Sequence, residues 1–256
     1  MTVSVDRRDG IFEITLDRPK ANAIDAATSR ALGSAFVEFR DDPAYRVAIL
    51  TGSGDRFFSA GWDLEAAAHG EAIEADYGEG GFGGFAELPG LNKPVIAAVN
   101  GMAVGGGFEL VLAADFVVTA DTAEFFFGEV AVGIIPDSGT IRLPRMLPPA
   151  LAKELLLTGR RMGAEEAVHR GLVNAVCSRD RLMDSARELA DRLASAAPLA
   201  VAAVLEAMQT VGHLSIPEAY HALRDAPSYQ AMLGSEDALE GPRAFAEGRD
   251  PVWRGQ

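Results

Sequence analysis

The chain has 256 residues, 48% hydrophobic and 23% charged, with 37 acidic against 23 basic side chains and a net charge of −14. That length buries one substantial core, so a single large domain with an appendage is expected rather than two domains. The acidity argues against nucleic acid or an anionic membrane as main partner, since either needs a basic face, while a phosphate-bearing small molecule needs only a few local cations.

Residues 3–7 and 11–17 alternate in polarity and predict a hairpin turning at Asp9-Gly10. Residues 18–22 read as a loop, and Asp25 as the N-cap of a helix reaching about Arg40, with Leu32, Phe36 and Phe39 at helical spacing. Residues 47–51 predict a short buried strand ended by Gly52-Ser53-Gly54, followed by the backbone-exposing stretch FFSAGWDL at 57–64. Residues 69–84 are rich in glycine and acids, hold Tyr77 and Phe82, and predict a mobile loop of the length that commonly forms a lid. Residues 94–99 are apolar and β-branched, as in a strand buried on both faces. Gly105, Gly106 and Gly107 then lead into a helix over 108–114, and 115–120 predict another buried strand. Residues 132–136 are too interrupted by Gly and Pro to predict regular structure. Short helices at 150–157 and 164–169 precede a last strand at 172–177. From Asp180 the pattern is helical, with Leu182, Ala186, Leu189 and Leu193 on one face, and Pro198 and Pro217 each open a further helix. The order predicts an α/β core with a helical tail whose unused apolar stripe would pack on a neighbouring subunit.

No apolar signal core precedes residue 11 and no later run approaches a membrane span, so a cytoplasmic protein is expected. Cys177 is the only cysteine, excluding an intrachain disulfide, and no Cys/His grouping has metal-site spacing, so no metal is expected.

Three glycines before a helix leave its first N–H groups bare, and a helix N-terminus favours negative charge. Should that charge be transient, as on a thioester oxygen under attack, the segment is half of an oxyanion hole. The bland alternative is a glycine-rich turn packed on a strand, with Glu109 merely complementing the helix dipole. Ser59 to Asp63 is a second stretch that exposes backbone, and one N–H from each would polarise a carbonyl. Glu109 and Glu129 stand out among 37 acids because each is flanked by apolar residues. Buried carboxyl groups that share a site titrate apart, so one serves as acid and the other as base. The bland reading of Glu129 is a carboxylate capping a nearby turn.

The blocks RPKANAIDA (18–26), FFSAGWDL, KPVIAAVNG (93–101), GGGFEL and the GIIPDSG turn (133–139) together resemble the crotonase (enoyl-CoA hydratase/isomerase) superfamily over nearly the whole chain. The resemblance implies an α/β fold, a ClpP-like spiral of ββα units over 1–195, with a C-terminal helical trimerisation region over 196–256. It implies that the backbone N–H groups of Trp62 and Gly106 form the oxyanion hole and that Glu109 and Glu129 are catalytic. Lys20, Ala21, Ala60, Asp63 and Leu64 would bind the coenzyme A end, and Phe82, Phe85, Phe127 and Asp137 would line the acyl pocket. The expected substrate is an acyl-CoA thioester, with no permanently bound cofactor, no metal, no nucleic acid and no membrane. The expected assembly is a homotrimer or a dimer of trimers.

Within the superfamily, DRPKANAIDA, RVAILTG, LTGRRMGAEEA and the tail SEDALEGPRAFAEGRDPVW are similar to a branch whose substrate carries a trimethylammonium group beside the double bond. A quaternary ammonium cannot donate a hydrogen bond and is best held by aromatic faces with acids nearby. Trp62, Tyr77, Phe82, Phe85, Phe126 and Phe127 are the aromatic candidates, and Asp76, Glu79 or Asp137 the charges. Ordinary packing accounts for at least half of these aromatics. The activity expected is hydration or dehydration of a short-chain enoyl-CoA. An isomerase of the same fold and a non-catalytic acyl-CoA-binding protein are the alternatives.

Overall fold

In the computed structural model, which describes residues 2–256, the chain winds between two sheets. The strands are β1 (Val3–Arg8), β2 (Ile11–Leu16), β3 (Val47–Gly52), β4 (Phe57–Ser59), β5 (Val95–Val99), β6 (Met102–Val104), β7 (Phe116–Ala120), β8 (Glu124–Phe126), β9 (Met162–Gly163) and β10 (Ala175–Cys177). The six-stranded sheet runs β1-β2-β3-β5-β7-β10 and is parallel apart from the β1/β2 hairpin; the four-stranded sheet runs β4-β6-β8-β9. Each coil lays one strand in the large sheet and the next in the small one, so that β3/β4, β5/β6 and β7/β8 stack in parallel register. This is the expected spiral.

The hairpin turns where predicted. Asp9 (φ 33°) and Gly10 (φ 85°) both take positive φ, the geometry that matches the twist of the flanking strands. Helix α1 (Ala26–Asp41) starts at the expected cap, Asp25, whose side chain accepts the Thr28 N–H at 2.7 Å. Helices α2 (Leu64–Ala68) and α3 (Gly106–Ala113) follow β4 and β6. Alternate residues of the large sheet face opposite ways. Phe12, Ile14, Leu50, Ala97 and Val99 enter the main core, while Val47, Ile49, Ile96 and Val118 pack on α7 (Leu182–Ala194) through Leu182, Ala186 and Ala190. Glu13 is buried on the α7 side because Arg187 grips it with two hydrogen bonds of 2.7 and 2.8 Å.

Between β8 and α7 lie α4 (Asp137–Met146), α5 (Pro149–Thr158) and α6 (Ala164–His169). The irregular stretch expected at 132–136 is present over 133–136, after a short 3-10 turn at Glu129–Val132, while helix α4 beyond it was not expected. Pro144, late in α4, masks the helical pattern in the sequence.

The tail is α8 (Pro198–Val211), α9 (Ile216–Asp225), α10 (Pro227–Leu233) and α11 (Glu236–Glu247). Its end folds back onto the core. Asp237 accepts the N–H groups of Arg254 and Gly255, the Trp253 indole donates to the Ser195 carbonyl, and Arg46 donates to the Trp253 carbonyl. No single helix among the described residues is long and apolar enough to cross a membrane.

The loop expected over 69–84 is present, without regular elements, and lies along α1 as a strap. Glu71 accepts the Ala26 N–H at 3.1 Å, Arg30 donates to the Asp76 carbonyl, Arg40 pairs with Glu79 at 2.6 Å, and the Ser29 hydroxyl takes the Gly83 N–H at 3.0 Å. Gly84 lets the strap lie on α1, since a Cβ there would strike the backbone of Gly33.

Candidate active site

Segments far apart in sequence line one cavity of about 350 Å³. Trp62 enters from the turn after β4, Gly106 and Glu109 from α3, Glu129 from the 3-10 turn, and Asp137 and Ser138 from the start of α4. The strap contributes Tyr77 and Phe82, whose rings meet edge to face at 5.4 Å between centroids.

The two glycine stretches touch. A Cβ on Gly61 (φ 77°) would come within 2.5 Å of the Gly106 nitrogen, so only glycine lets the turn bearing Trp62 approach the start of α3. Gly106 opens the helix, so its N–H has no partner within it. On the other side, Ile24 donates to the Gly61 carbonyl at 2.7 Å and accepts the Asp63 N–H at 3.0 Å, leaving the Trp62 N–H between them without a backbone acceptor among the described residues. Two free N–H groups on adjoining turns are what an oxyanion site requires.

Glu109 lies in the first turn of α3 and accepts the Gly139 N–H at 2.8 Å. Burial pushes its carboxyl up to about 7 despite that hydrogen bond, and the nearby charges of Glu129 and Asp137 push the same way. Burial raises the Glu129 carboxyl as well, and its Oε2 is buried without a hydrogen-bond partner among the described residues. An unpaired buried carboxylate oxygen is costly unless a proton, a water or a substrate meets it. A carboxyl raised to about 7, as that of Glu109 is, can give or take a proton near neutral pH.

Of the candidate residues, the structure brings Trp62, Gly106, Glu109, Glu129, Phe82 and Asp137 to one cavity. Phe85 and Phe127 do not line it, which corrects their assignment to the acyl pocket. Phe85 is buried on Phe36, with ring centroids 4.4 Å apart, and Phe127 is buried on Phe108 at 4.8 Å. Phe127 instead underlies the start of α4, where its ring leaves no room for a Cβ on Gly139. Phe126 packs under the Arg161 guanidinium at 4.7 Å, and Glu79 is drawn to Arg40; neither lines the cavity.

Lys20, Ala21, Ala60, Asp63 and Leu64 lie along one edge, where residues 21–24 run beside 60–63 and Ala60 donates to the Ala21 carbonyl at 2.9 Å. Lys20 is exposed with φ 78°. Asp63 is already engaged. It caps α2 through the Glu65 and Ala66 N–H groups and pairs with Arg18 at 2.6 Å. Burial would raise its carboxyl, but Arg18 and the two N–H groups outweigh that and hold it below its ordinary value.

Sequence reasoning missed Glu74, Glu87 and Ser138 in the cavity wall and Gly139 as the partner of Glu109. Pro136 followed by Asp137, a proline and an acid at a helix start, was the available signal for α4. With Asp76 and Asp137, Glu74 and Glu87 ring the cavity mouth, and no Lys, Arg or His lines it among the described residues. Nor, among those residues, are three His, Cys, Asp or Glu side chains grouped to hold a metal ion.

Residues 6–256 match the family model described as enoyl-CoA hydratase/isomerase. Proteins named carnitinyl-CoA dehydratase from Escherichia coli (strain SMS-3-5 / SECEC) and Salmonella paratyphi A are each 58% identical over 258 residues, covering 100% of this chain and 99% of their own. The crystal structure of an enoyl-CoA hydratase from Mycobacterium tuberculosis H37Rv superposes with a TM-score of 0.92 at 41% identity, covering 100% of this chain and 99% of that one. That of an enoyl-CoA hydratase from Bacillus anthracis superposes at 0.90 with 34% identity, covering 100% of both chains.

Proposed function

The chain belongs to the enoyl-CoA hydratase/isomerase family, and from that premise we propose that it is a hydro-lyase, adding or removing water across the double bond of a short-chain enoyl-CoA thioester. The observation that carries this reading is a single cavity lined by Trp62, Gly106, Glu109 and Glu129. The thioester oxygen accepts hydrogen bonds from the Trp62 and Gly106 N–H groups, so electron density drawn from Cβ toward that oxygen as water attacks is stabilised. Each such donor is worth about 3 kcal/mol of barrier.

Water lies between the carboxyl groups of Glu109 and Glu129. One carboxylate takes a proton as the water oxygen bonds to Cβ; the other carboxyl gives its proton to Cα as the enolate collapses to the thioester. Dehydration reverses both transfers. The carboxyl group raised to about 7 makes either direction accessible near neutral pH. No permanent cofactor takes part. The coenzyme A moiety lies along the edge formed by Lys20, Ala21, Ala60, Asp63 and Leu64.

The acyl group is cationic, and crotonobetainyl-CoA/carnitinyl-CoA is the pair proposed. Trp62, Tyr77 and Phe82 offer aromatic faces, while Glu74, Asp76, Glu87 and Asp137 supply negative charge around them. The names of the 58% identical relatives, carnitinyl-CoA dehydratases, support the same substrate. The tail, residues 196–256, acts in self-assembly as a trimer or dimer of trimers in the cytoplasm. It presents Met208, Ile216 and Phe245 at 72%, 75% and 90% exposure, a display that a neighbouring subunit would cover.

The deciding experiment is turnover of crotonobetainyl-CoA beside crotonyl-CoA and longer enoyl-CoA esters in water carrying heavy oxygen. Label in a hydroxyacyl product with preference for the cationic ester is expected. Double-bond migration without label would make the protein an isomerase, and binding without turnover would make it an acyl-CoA carrier.

A further inference from the structure

Arg142 lies on α4, one turn after the residues that meet Glu109, and is half-buried. Its Nη2 donates to the Ala86 carbonyl at 2.7 Å and its Nε to the Ser138 hydroxyl at 3.1 Å. Ala86 lines the cavity from the chain just beyond the strap, two residues after Gly84, and Ser138 from the first turn of α4. The guanidinium thus ties two walls of the cavity together, behind the Gly139 N–H that holds Glu109. The charges nearby that act on it are Asp115 from the loop after α3, Arg145 from its own helix, Glu109 from α3 and Glu87 from the chain just beyond the strap. Asp115 does not form a fork with Arg142; its Oδ2 accepts the Val95 N–H at 2.8 Å. Burying a guanidinium without a paired carboxylate is unfavourable. A helix packed only for stability would carry an apolar residue there.

We propose that Arg142 is a positioning residue for the reaction: it clamps the strap to the turn that holds Glu109, and its charge sets the field in which Glu109 exchanges its proton. The proposal rests on the hydratase reading for its effect on turnover. The groups that act on Glu109 itself are Glu129, Asp137 and the Gly139 and Ser138 N–H groups, and Arg142 is the cation on the helix that supplies those two N–H groups. Removing it leaves the charged form of Glu109 less favoured.

The test compares Arg142→Gln and Arg142→Lys with the unaltered protein. For Arg142→Gln the pH-rate limb to which Glu109 contributes should move up by about half a pH unit, the size expected of one partly screened charge. KM should rise and kcat should fall by about tenfold as the walls loosen. Arg142→Lys, which keeps the charge but not the planar fork, should return the limb to its original position while KM stays raised. A limb and a KM unmoved in a folded Arg142→Gln protein would overturn the proposal. If that variant does not fold, Arg142→Lys decides, and an unchanged KM there overturns it equally. The Glu109 carboxyl can also be titrated by carbon NMR without substrate. A shift there on Arg142→Gln, in a protein that hydrates no enoyl ester, would sink the hydratase reading while sustaining the electrostatic role of Arg142.

Discussion

The Glu129 carboxylate lies directly against the Cα of Gly105, the residue whose peptide leads into the helix carrying Glu109. Gly105 takes φ 54° and ψ −124°, a conformation that L side chains rarely adopt, and a Cβ there would run into that carboxylate. Gly105→Ala should therefore displace the Glu129 carboxyl, one of the two proposed for catalysis, and the first N–H groups of α3 together. The expected result is a loss of about 10²-fold in kcat/KM, the scale of a 1 Å misplacement, with the far-UV circular dichroism preserved. Activity within a few-fold of the parent would refute this coupling.

Glu109→Gln and Glu129→Gln each keep the shape of the side chain and remove one of the carboxyls proposed to transfer protons. Each should lower turnover by roughly 10²- to 10⁴-fold, the range for loss of general acid–base catalysis. The KM for the enoyl ester should move far less, because in the proposed reaction the thioester is held by backbone N–H groups that neither change touches. Steady-state kinetics on the folded variants check both numbers.

The raised carboxyl of Glu109 has a consequence for stability. Its folded value of about 7 lies above the ordinary 4.5, so between those values the native state keeps a proton that the unfolded chain releases. Its contribution is fully present below about 4.5 and is lost as pH rises through 7, so this group makes folding less favourable in alkali. Glu109→Gln has no such dependence. The variant should gain stability over the parent, by at most about 3 kcal/mol, at about pH 8 and little at about pH 5. Urea unfolding at the two pH values measures this, and an equal difference at both would contradict it.

Asn22 is buried with φ 51°, and its side-chain amide donates to the carbonyls of Ser53, Phe57 and Phe58. Asn22→Ala leaves these buried acceptors short of a donor, at a cost of about 1–3 kcal/mol. The same change frees the loop that carries Lys20 and Ala21 beside Ala60. A lowered Tm together with weaker binding of free coenzyme A is expected. A lowered Tm alone would separate this loop from the proposed coenzyme A edge.

Local pattern carried much of the architecture. The Asp9-Gly10 turn, the Asp25 cap and the buried strands β3, β5 and β7 were legible because each depends on residues a few positions apart. Helix α4 was obscured by Pro144, and the course of the strap over 69–84 was not legible because its anchors, Ser29, Arg30 and Arg40, lie on α1. Phe85 and Phe127 show the limit most clearly. Aromatics near Glu129 and Phe82 in sequence look like pocket residues, yet alternation along β8 and the packing of the strap turn both into the core.

By itself the amino-acid order determined an α/β core with a helical tail and marked two glycine-rich turns and two glutamates in apolar surroundings, since backbone conformation and apolar periodicity are written within short windows. Which side chains share the cavity was decided only by the tertiary structure. So was the place of the Gly139 N–H and the Arg142 guanidinium behind Glu109. Burial and charge proximity are properties of the packed chain, and a carboxyl group is raised to about 7 only once distant segments have excluded water around it.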